Sequence, residues 1–262
     1  LPGWVGMETV TWGAPPHGAR AILRPDGHWS LRLPDDPGRW ADLIAALPGG
    51  VAPALLSVGD GHADEILRSL GFEVHRIDQL WEVPVSELAS TIESPQHSLV
   101  PVTDCDPAEV TALDNVIRAQ IPGTGAWVGA VSDLQDSLED DEFDPEFYLV
   151  AVHRGTGSYD GLVRVWNRRP RPRLGCVGVR PEWRRSRLGP ALLGAVAATL
   201  VRRGVTHVTT ETDVANRDSH PLAVRNGAVP RGRTVEWILR AGPGGEVRRR
   251  HQPDHTGTAD RD

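Results

Sequence analysis

The clearest pattern along the chain is a stripe of apolar residues that begins at Leu188. Positions 188, 191, 192, 195, 196 and 200 are all apolar, which is the spacing of one face of an α-helix. Gly204 follows, and glycine commonly ends helices because it tolerates left-handed backbone angles. The pattern predicts an amphipathic helix over Leu188–Arg203 and a strand over Val205–Thr210.

Runs rich in valine and leucine predict further strands, and helical spacing predicts further helices. Before the long helix, the predicted strands are Ser98–Val102, Phe147–Val152, Gly161–Trp166 and Leu174–Val179, and the predicted helices are Pro107–Arg118 and Gly129–Leu138. After it come a helix over Arg217–Arg225 and a strand over Thr234–Leu239. Because strands and helices alternate, we expect an α/β fold built on a mixed sheet.

Two polar segments interrupt this order. The stretch from Ser90 to His97 separates two apolar, periodic regions and has the composition of a linker. From about Ala241 the chain is rich in glycine and arginine and lacks large apolar residues. We expect this tail to be disordered.

Composition narrows the class of protein. Of 262 residues, 39% are hydrophobic and 24% charged, which is typical of a globular protein. The formal net charge of −7 disfavours nucleic-acid binding through bulk charge. All 28 basic residues are arginine, so no lysine is available for catalysis. Cys105 and Cys176 are too few for a disulfide framework or a four-thiolate zinc site.

The same features predict the surroundings of the protein. No apolar run approaches the ~20 residues of a membrane helix, and no signal-peptide pattern opens the chain. We therefore expect a cytoplasmic protein with no membrane or nucleic-acid partner and no bound metal. The sequence leaves a homodimer open.

The segment Arg180–Arg187 carries the strongest chemical signal. A predicted strand leads into this loop, and a predicted helix follows it from Leu188, with Pro190 in its first turn. The loop holds four arginines close to the start of the helix. Unpaired N–H groups and the positive dipole end of such a helix attract anions. The segment therefore indicates a phosphate or pyrophosphate ligand. A solvated basic loop is the alternative interpretation.

This stretch resembles the acyl-CoA-binding motif of the GCN5-related N-acetyltransferases (GNAT). The family motif reads Val-x-Pro-x-x-Arg/Gln-x-x-Gly-x-Gly/Ala and is followed by an amphipathic helix. Arg187 departs from it by occupying the first glycine position, where glycine best serves close backbone approach. The residues that fit are Val179, Pro181, Arg184, Gly189, Ala191, Leu192 and Leu193.

A second stretch resembles another motif of the same family, Asn-x-x-Ala/Ser-x-x-Leu-Tyr-x-x-x-Gly-Phe/Ala. Ala223 stands where that family commonly has a tyrosine, which often protonates the departing thiolate. The fitting residues are Asn216, Ser219, Leu222, Gly227 and Ala228. Together the two motifs extend the resemblance over about Ser98–Leu239.

The resemblance implies the acyl-CoA N-acyltransferase fold and an N-acetyltransferase that uses acetyl-CoA. In this family, backbone N–H groups of the fourth strand hold the thioester where that strand splays from the fifth, and these groups fall here at Cys176–Val179. The acetyl group passes directly to an amine of a small-molecule or peptide acceptor in a ternary complex. The cofactor-binding residues implied are Val177, Gly178, Val179, Arg184, Arg185, Ser186, Arg187, Leu188, Gly189, Pro190, Asn216 and Ser219.

Three residues are candidates for proton transfer. Glu211, at the end of the fifth strand of the family fold, is the first candidate base and Asp213 the second; the alternative is that both cap a helix or face solvent. His220 is a candidate acid in place of the missing tyrosine, or else a surface histidine. Cys176 is expected to be a small buried side chain rather than a nucleophile.

Two other functions remain open. A non-catalytic CoA-binding or interaction protein is favoured by Arg187 and Ala223, which depart from the family motifs. The second alternative is an acyltransferase that performs the same reaction with a longer acyl-CoA as the donor.

The resemblance also exposes an internal repeat. The segment from Asp60 to Phe72 matches the second motif at an offset of 156 residues, and it follows a strand-like run, Ala54–Val58. Before it, the segment from Pro37 to Leu47 is a predicted helix without an arginine-rich loop. We therefore expect two tandem GNAT-like modules: a degenerate one over 1–90, a linker over 91–97, the N-acetyltransferase domain over 98–240 and a disordered tail over 241–262.

Overall fold

The computed structural model describes residues 8–89, 92–122 and 127–240, so the tail predicted from Ala241 lies outside the described residues. Its strands are β1 Thr9–Trp12, β2 Ala19–Leu23, β3 Trp29–Arg32, β4 Ala54–Gly59, β5 Glu73–Pro84, β6 His97–Pro101, β7 Tyr148–His153, β8 Tyr159–Trp166, β9 Arg173–Val179, β10 His207–Asp213 and β11 Val229–Leu239. Its helices are α1 Trp40–Ala45, α2 Asp64–Ser69, α3 Val85–Leu88, α4 Pro107–Arg118, α5 Val131–Leu138, α6 Leu188–Arg202 and α7 Ser219–Arg225.

The described strands form one mixed sheet in the order β1-β2-β3-β4-β11-β5-β10-β9-β8-β7-β6. Within it, β3 runs parallel to β4 and β9 runs parallel to β10, while the other neighbours are antiparallel. The predicted α/β fold with a mixed sheet is therefore confirmed.

Helices cover the two faces of the sheet unequally. On one face, here face A, α3 and α6 pack on the strands of the C-terminal half, and Trp40 of α1 and Leu67 of α2 pack on those of the N-terminal half. On the opposite face B, α4 and α5 pack over Tyr148, Val150 and Leu162 of β7 and β8. Face B of β5 and β10 therefore lies beside α4 rather than beneath it.

The internal repeat is visible in the backbone. After α2 the amide of Phe72 donates to the carbonyl of Leu67 at 3.0 Å, and after α7 the amide of Ala228 donates to that of Ala223 at 3.1 Å, each residue 156 positions later. Gly71 and Gly227 both adopt positive φ at these helix ends, 85° and 65°. In each half a parallel strand pair precedes this helix.

The last strand crosses between the two halves. β11 follows the C-terminal half in sequence, yet it pairs with β4 on one side and β5 on the other. Trp237 of β11 is 1% exposed within the core of the N-terminal half. The sheet is thus continuous across the two halves, and each half depends on a strand from elsewhere in the chain.

Several predicted element bounds differ from the observed ones. The helix predicted from Arg217 begins at Ser219, because the Asn216 side chain accepts hydrogen bonds from the amides of Asp218 and Ser219. The helix predicted over 37–47 is a short 3₁₀ turn followed by α1. His97, assigned to the linker by its composition, belongs to β6 and is 3% exposed.

Candidate functional site

The strands β9 and β10 separate soon after they meet. They pair only at Arg173 and Thr209, and beyond this point the two parallel strands diverge. A cavity of about 280 Å³ lies at this opening. Its wall includes Cys176 and Val177 of β9, Glu211 and Asp213 of β10, and Arg76 of β5.

The diverging edge of β9 offers unpaired amides. On its other edge β9 pairs with β8, and the amide of Arg180 donates to the carbonyl of Asp160 at 2.8 Å. Because hydrogen-bonded pairs alternate along antiparallel strands, the amides of Cys176 and Gly178 point toward β8. Those of Val177 and Val179 therefore point into the opening toward β10.

Gly178 has a packing role in the structure. A Cβ atom at this position would lie 2.3 Å from Cγ2 of Ile117 on α4. The missing side chain lets α4 approach β9 closely on face B. Packing accounts for this glycine, whose predicted contact with the cofactor is untested.

The loop between β9 and α6 alternates between paired and unpaired amides. Arg184, Ser186 and Leu188 donate to the carbonyl of Pro181, the carbonyl of Trp183 and the hydroxyl of Ser186 respectively. Within the described chain, the amides of Arg185, Arg187 and Gly189 have no hydrogen-bond acceptor, and Pro190 carries no N–H. Three free donors therefore face outward near the positive end of α6.

The side chains of this loop are also free to bind an anion. Arg184, Arg185 and Arg187 are exposed, and none pairs with a carboxylate of the described residues. Arg185 has a φ of 59°, an uncommon left-handed conformation for arginine. Arg187 has an ordinary φ of −77°, so the glycine of the family motif is not required here for backbone conformation.

A buried polar network beneath this loop was not predicted from the sequence. His97 lies between the Ser94 hydroxyl, 2.8 Å from Nδ1, and the Asp160 carboxylate, 3.0 Å from Nε2. Its ring contacts the indole of Trp183 edge-on, with 4.5 Å between centroids. The network therefore buttresses the turn that leads to the free amides. No motif in the sequence signals these contacts, because the residues come from separate strands.

Three carboxylates gather on face B beside the cavity. Asp213 is 8% exposed, and its Oδ1 accepts the amide of Ala215 at 2.8 Å. Glu211 is exposed and pairs with Arg173 at 2.9 Å. Asp78 of β5, which the sequence did not predict, lies opposite Asp213 in the strand register. Burial raises the pKa of the Asp78 carboxyl, Arg76 lowers it, and Glu211 and Asp213 raise it further.

Of the site residues predicted in and just before α7, some line the cavity and one lies at the surface. Asn216 and Ser219 line the cavity, and Asn216 caps the helix. Ala223, at the usual tyrosine position, is buried on the same wall. The His220 ring is not part of the cavity wall; it lies edge-on to the Trp81 indole with 5.0 Å between centroids.

Cys176 is half-buried and lines the cavity. Burial raises the pKa of its thiol, and Asp114 raises it further. The thiol is therefore held protonated, which makes it a poor nucleophile. The described residues contain no group of three His, Cys, Asp or Glu arranged to hold a metal ion. None of the described helices has the length and apolar character needed to cross a bilayer.

Residues 122–228 match the family model of the acetyltransferase (GNAT) family. The fold is similar to that of a GCN5-related N-acetyltransferase from Sphaerobacter thermophilus, with a TM-score of 0.67 and 18% identity over 93% of this chain and 85% of that one. It is also similar to a tandem GNAT protein from the clavulanic acid biosynthesis pathway, with a TM-score of 0.64 and 18% identity over 87% and 80%.

A third similar structure, a GCN5-related N-acetyltransferase from Kribbella flavida, has a TM-score of 0.57 and 14% identity over 92% of this chain and 91% of that one. Comparison with curated proteins gives no match. At these identities the solved structures establish the fold, and the family model covers the stretch that carries both motifs. Residues 122–228 thus match the acetyltransferase (GNAT) family, and the fold is similar to that of a tandem GNAT protein.

Proposed function

We propose that this protein is an N-acetyltransferase that transfers the acetyl group of acetyl-CoA directly to an amine of a small-molecule or peptide acceptor. The observation that carries the proposal is the opening between β9 and β10, where the free amides of Val177 and Val179 adjoin the cavity. The arginine-rich loop with its own free amides follows directly on β9. Two groups of free amides thus lie on consecutive segments of the chain.

In this proposal the two groups of free amides bind different parts of acetyl-CoA. The amides of Arg185, Arg187 and Gly189 take the pyrophosphate, and the three exposed arginine side chains add charge. The amides of Val177 and Val179 hold the pantetheine and polarise the thioester carbonyl. Because these donors are backbone groups fixed by β9 and α6, they need little reorganisation when charge develops on the oxygen.

The acceptor amine must lose a proton to attack the carbonyl. Asp213 suits the role of base better than Glu211, because Asp213 is buried on the cavity wall while Glu211 is exposed and paired with Arg173. The amine forms the new bond to the acetyl carbon as the carbon–sulfur bond breaks, and Asp213 takes the amine proton directly or through water.

The departing sulfur needs a proton, and Ala223 cannot supply it. Ser219 lies one helical turn before Ala223 and lines the same cavity. On the same wall, the hydroxyl of Thr210 donates to the carbonyl of Leu174, and the hydroxyl of Thr212 accepts from the indole N–H of Trp81. We therefore infer that the Ser219 hydroxyl, rather than the His220 ring that packs on Trp81, relays a proton from solvent water to the departing sulfur.

Thiol release from acetyl-CoA, measured against a broad panel of amines, tests the proposal. Release that depends on an amine and yields the N-acetylated product supports it. Tight CoA binding without release for any amine would instead favour a non-catalytic CoA-binding protein, and release only with longer acyl-CoA donors would change the donor.

A further inference from the structure

Three polar atoms near the cavity on face B are buried without a hydrogen-bond partner in the described chain, and one of them belongs to a residue of the cavity wall, Arg173. They are Nε of Arg164, Nε of Arg173 and Oδ1 of Asp114. All three surround Cys176: Arg164 is its partner on β8, Arg173 begins the same strand, and Asp114 raises its pKa. Since buried polar groups are nearly always satisfied, these atoms are positioned to bond a polar ligand or water.

Arg164 is the most informative of the three. Its guanidinium carbon lies 5.5 Å from the ring centre of Tyr148 and 4.9 Å from that of Trp166. No carboxylate of the described residues lies within 4.0 Å of it. A half-buried arginine held between two rings and lacking a counter-charge is prepared to pair with a planar anion.

The charges beside the opening are unevenly distributed between its two sides, which the Arg173–Glu211 ion pair joins at 2.9 Å. They belong to the charged residues that line the cavity, to their direct ion-pair partners, and to Arg164. On the side of α4, β8 and β9 are three guanidiniums and one carboxylate: Arg118, Arg164, Arg173 and Asp114. On the side of β5 and β10 are three carboxylates and one guanidinium: Asp78, Glu211, Asp213 and Arg76.

From this arrangement we infer that the acceptor carries an anionic group in addition to its amine, as an amino acid or a peptide carboxyl terminus does. The anion pairs with Arg164, assisted by Arg173, and the amine lies toward Asp213 on the opposite side of the opening. This inference rests on the proposed function, since it names the class of acceptor for that site. Such a site favours a ligand of matching polarity over a purely cationic amine, which would offer Arg164 no counter-charge.

Matched acceptors test the inference directly. Amino acids are compared with their carboxamides and with aminoalkyl phosphates, using thiol release from acetyl-CoA. We expect kcat/KM to be at least about tenfold higher for the anionic member of each pair, equivalent to ~1.4 kcal/mol. Preference for the phosphates over the carboxylates would support the anionic class and identify a phosphate as its source.

The variant Arg164→Met keeps a long side chain between the two rings and removes the charge. We expect it to raise KM for the anionic acceptors by about tenfold, to leave the carboxamides unchanged, and to leave acetyl-CoA affinity unchanged. Arg164→Lys should restore part of the preference. Arg68→Met is the matched control, because Arg68 also stacks on a ring, that of Trp237, far from the opening.

The outcomes separate this inference from the function on which it rests. Equal transfer to acids and carboxamides would overturn the inference and leave the N-acetyltransferase intact. So would an Arg164→Met variant, shown by thermal melting to be folded, that loses activity equally on both. No transfer to any amine, with acetyl-CoA bound, would overturn the proposed function and the inference with it.

Discussion

Asp78 of β5 and Asp213 of β10 lie directly opposite each other across an antiparallel strand pair, and one guanidinium serves both. Nε of Arg76 lies 2.8 Å from Oδ1 of Asp78 and 3.7 Å from Oδ2 of Asp213. Like charges directly opposite on a sheet are destabilising unless compensated. A strand of the N-terminal half therefore helps set the electrostatics of the candidate base in the C-terminal half.

The first prediction concerns that base. Asp213→Asn should lower kcat/KM by about 10²–10⁴-fold, the usual contribution of general base catalysis, while acetyl-CoA affinity stays within about twofold. Glu211→Gln is the matched comparison and should have a smaller effect. Steady-state kinetics with calorimetry for binding measures both. A larger loss in Glu211→Gln than in Asp213→Asn would reassign the base to Glu211.

The second prediction concerns pH and stability. Burial raises the pKa of Asp78 in the folded state, so the folded protein holds this proton more tightly than the unfolded chain. The stabilisation from this proton is present below about pH 4, the unperturbed aspartate value, and is lost as pH rises through the raised pKa.

The asparagine side chain of the Asp78→Asn variant does not ionise, so this variant does not lose stability as the carboxyl of the parent protein loses its proton. Relative to the parent protein, its free energy of unfolding should therefore increase as the pH rises through this window. Urea unfolding at several pH values measures the trend, and Asp42→Asn, at an exposed position of α1, controls for the removal of a charge. A parallel pH dependence in parent and Asp78→Asn would contradict the assignment.

The third prediction tests the phosphate loop. A Cβ atom at Gly189 meets no atom within 4 Å, so Gly189→Glu should fold normally. Its carboxylate would lie among the free amides and weaken acetyl-CoA binding at least about tenfold. Gly49→Glu, also in open space, is the control. Arg187→Gly, which restores the family motif, should keep or improve affinity. Unchanged affinity in Gly189→Glu would exclude the loop as the phosphate site.

The fourth prediction is that each chain binds one acyl-CoA. The N-terminal copy keeps the helix and its glycine stop, but acidic residues precede its α1, where the Asp36 carboxylate accepts the amide of Gly38 and pairs with Arg39. That arrangement repels phosphates. Calorimetry on the intact chain should give one site, and two equivalent sites would show that the N-terminal half binds CoA as well.

The fifth prediction concerns Cys176. Because burial raises the pKa of its thiol, Cys176→Ala should keep kcat within about threefold, and no acetylated enzyme should accumulate. Mass spectrometry of the protein mixed with acetyl-CoA alone measures the second point. Stoichiometric acetylation of Cys176 followed by transfer to an amine would replace direct transfer with a covalent route.

Element bounds are predicted most accurately from the sequence where several local signals indicate the same element. The bounds of α4 match the prediction, since Asp106 caps the helix through the amides of Ala108 and Glu109 and Pro107 fixes its first turn. By contrast, β5 was not predicted. Charged and polar side chains at positions 75, 76, 78 and 79 interrupt its apolar pattern.

Two of these residues, Arg76 and Asp78, lie at the candidate site. The phosphate loop is encoded locally and could be recognised from one motif. The pairing of Asp78 with Asp213 depends on the position of β5 in the sheet, which no local pattern encodes. The stacking of Arg164 between Tyr148 and Trp166 likewise joins two strands.

The position of β11 has a consequence for biogenesis. During synthesis, β4 and β5 leave the ribosome long before β11, the strand that pairs with both. Until then the first half presents two unpaired strand edges, the kind of surface through which nascent chains aggregate. The sheet is therefore completed late in synthesis, by pairing between strands far apart in the sequence. Chaperone binding to the first half is most valuable before β11 emerges.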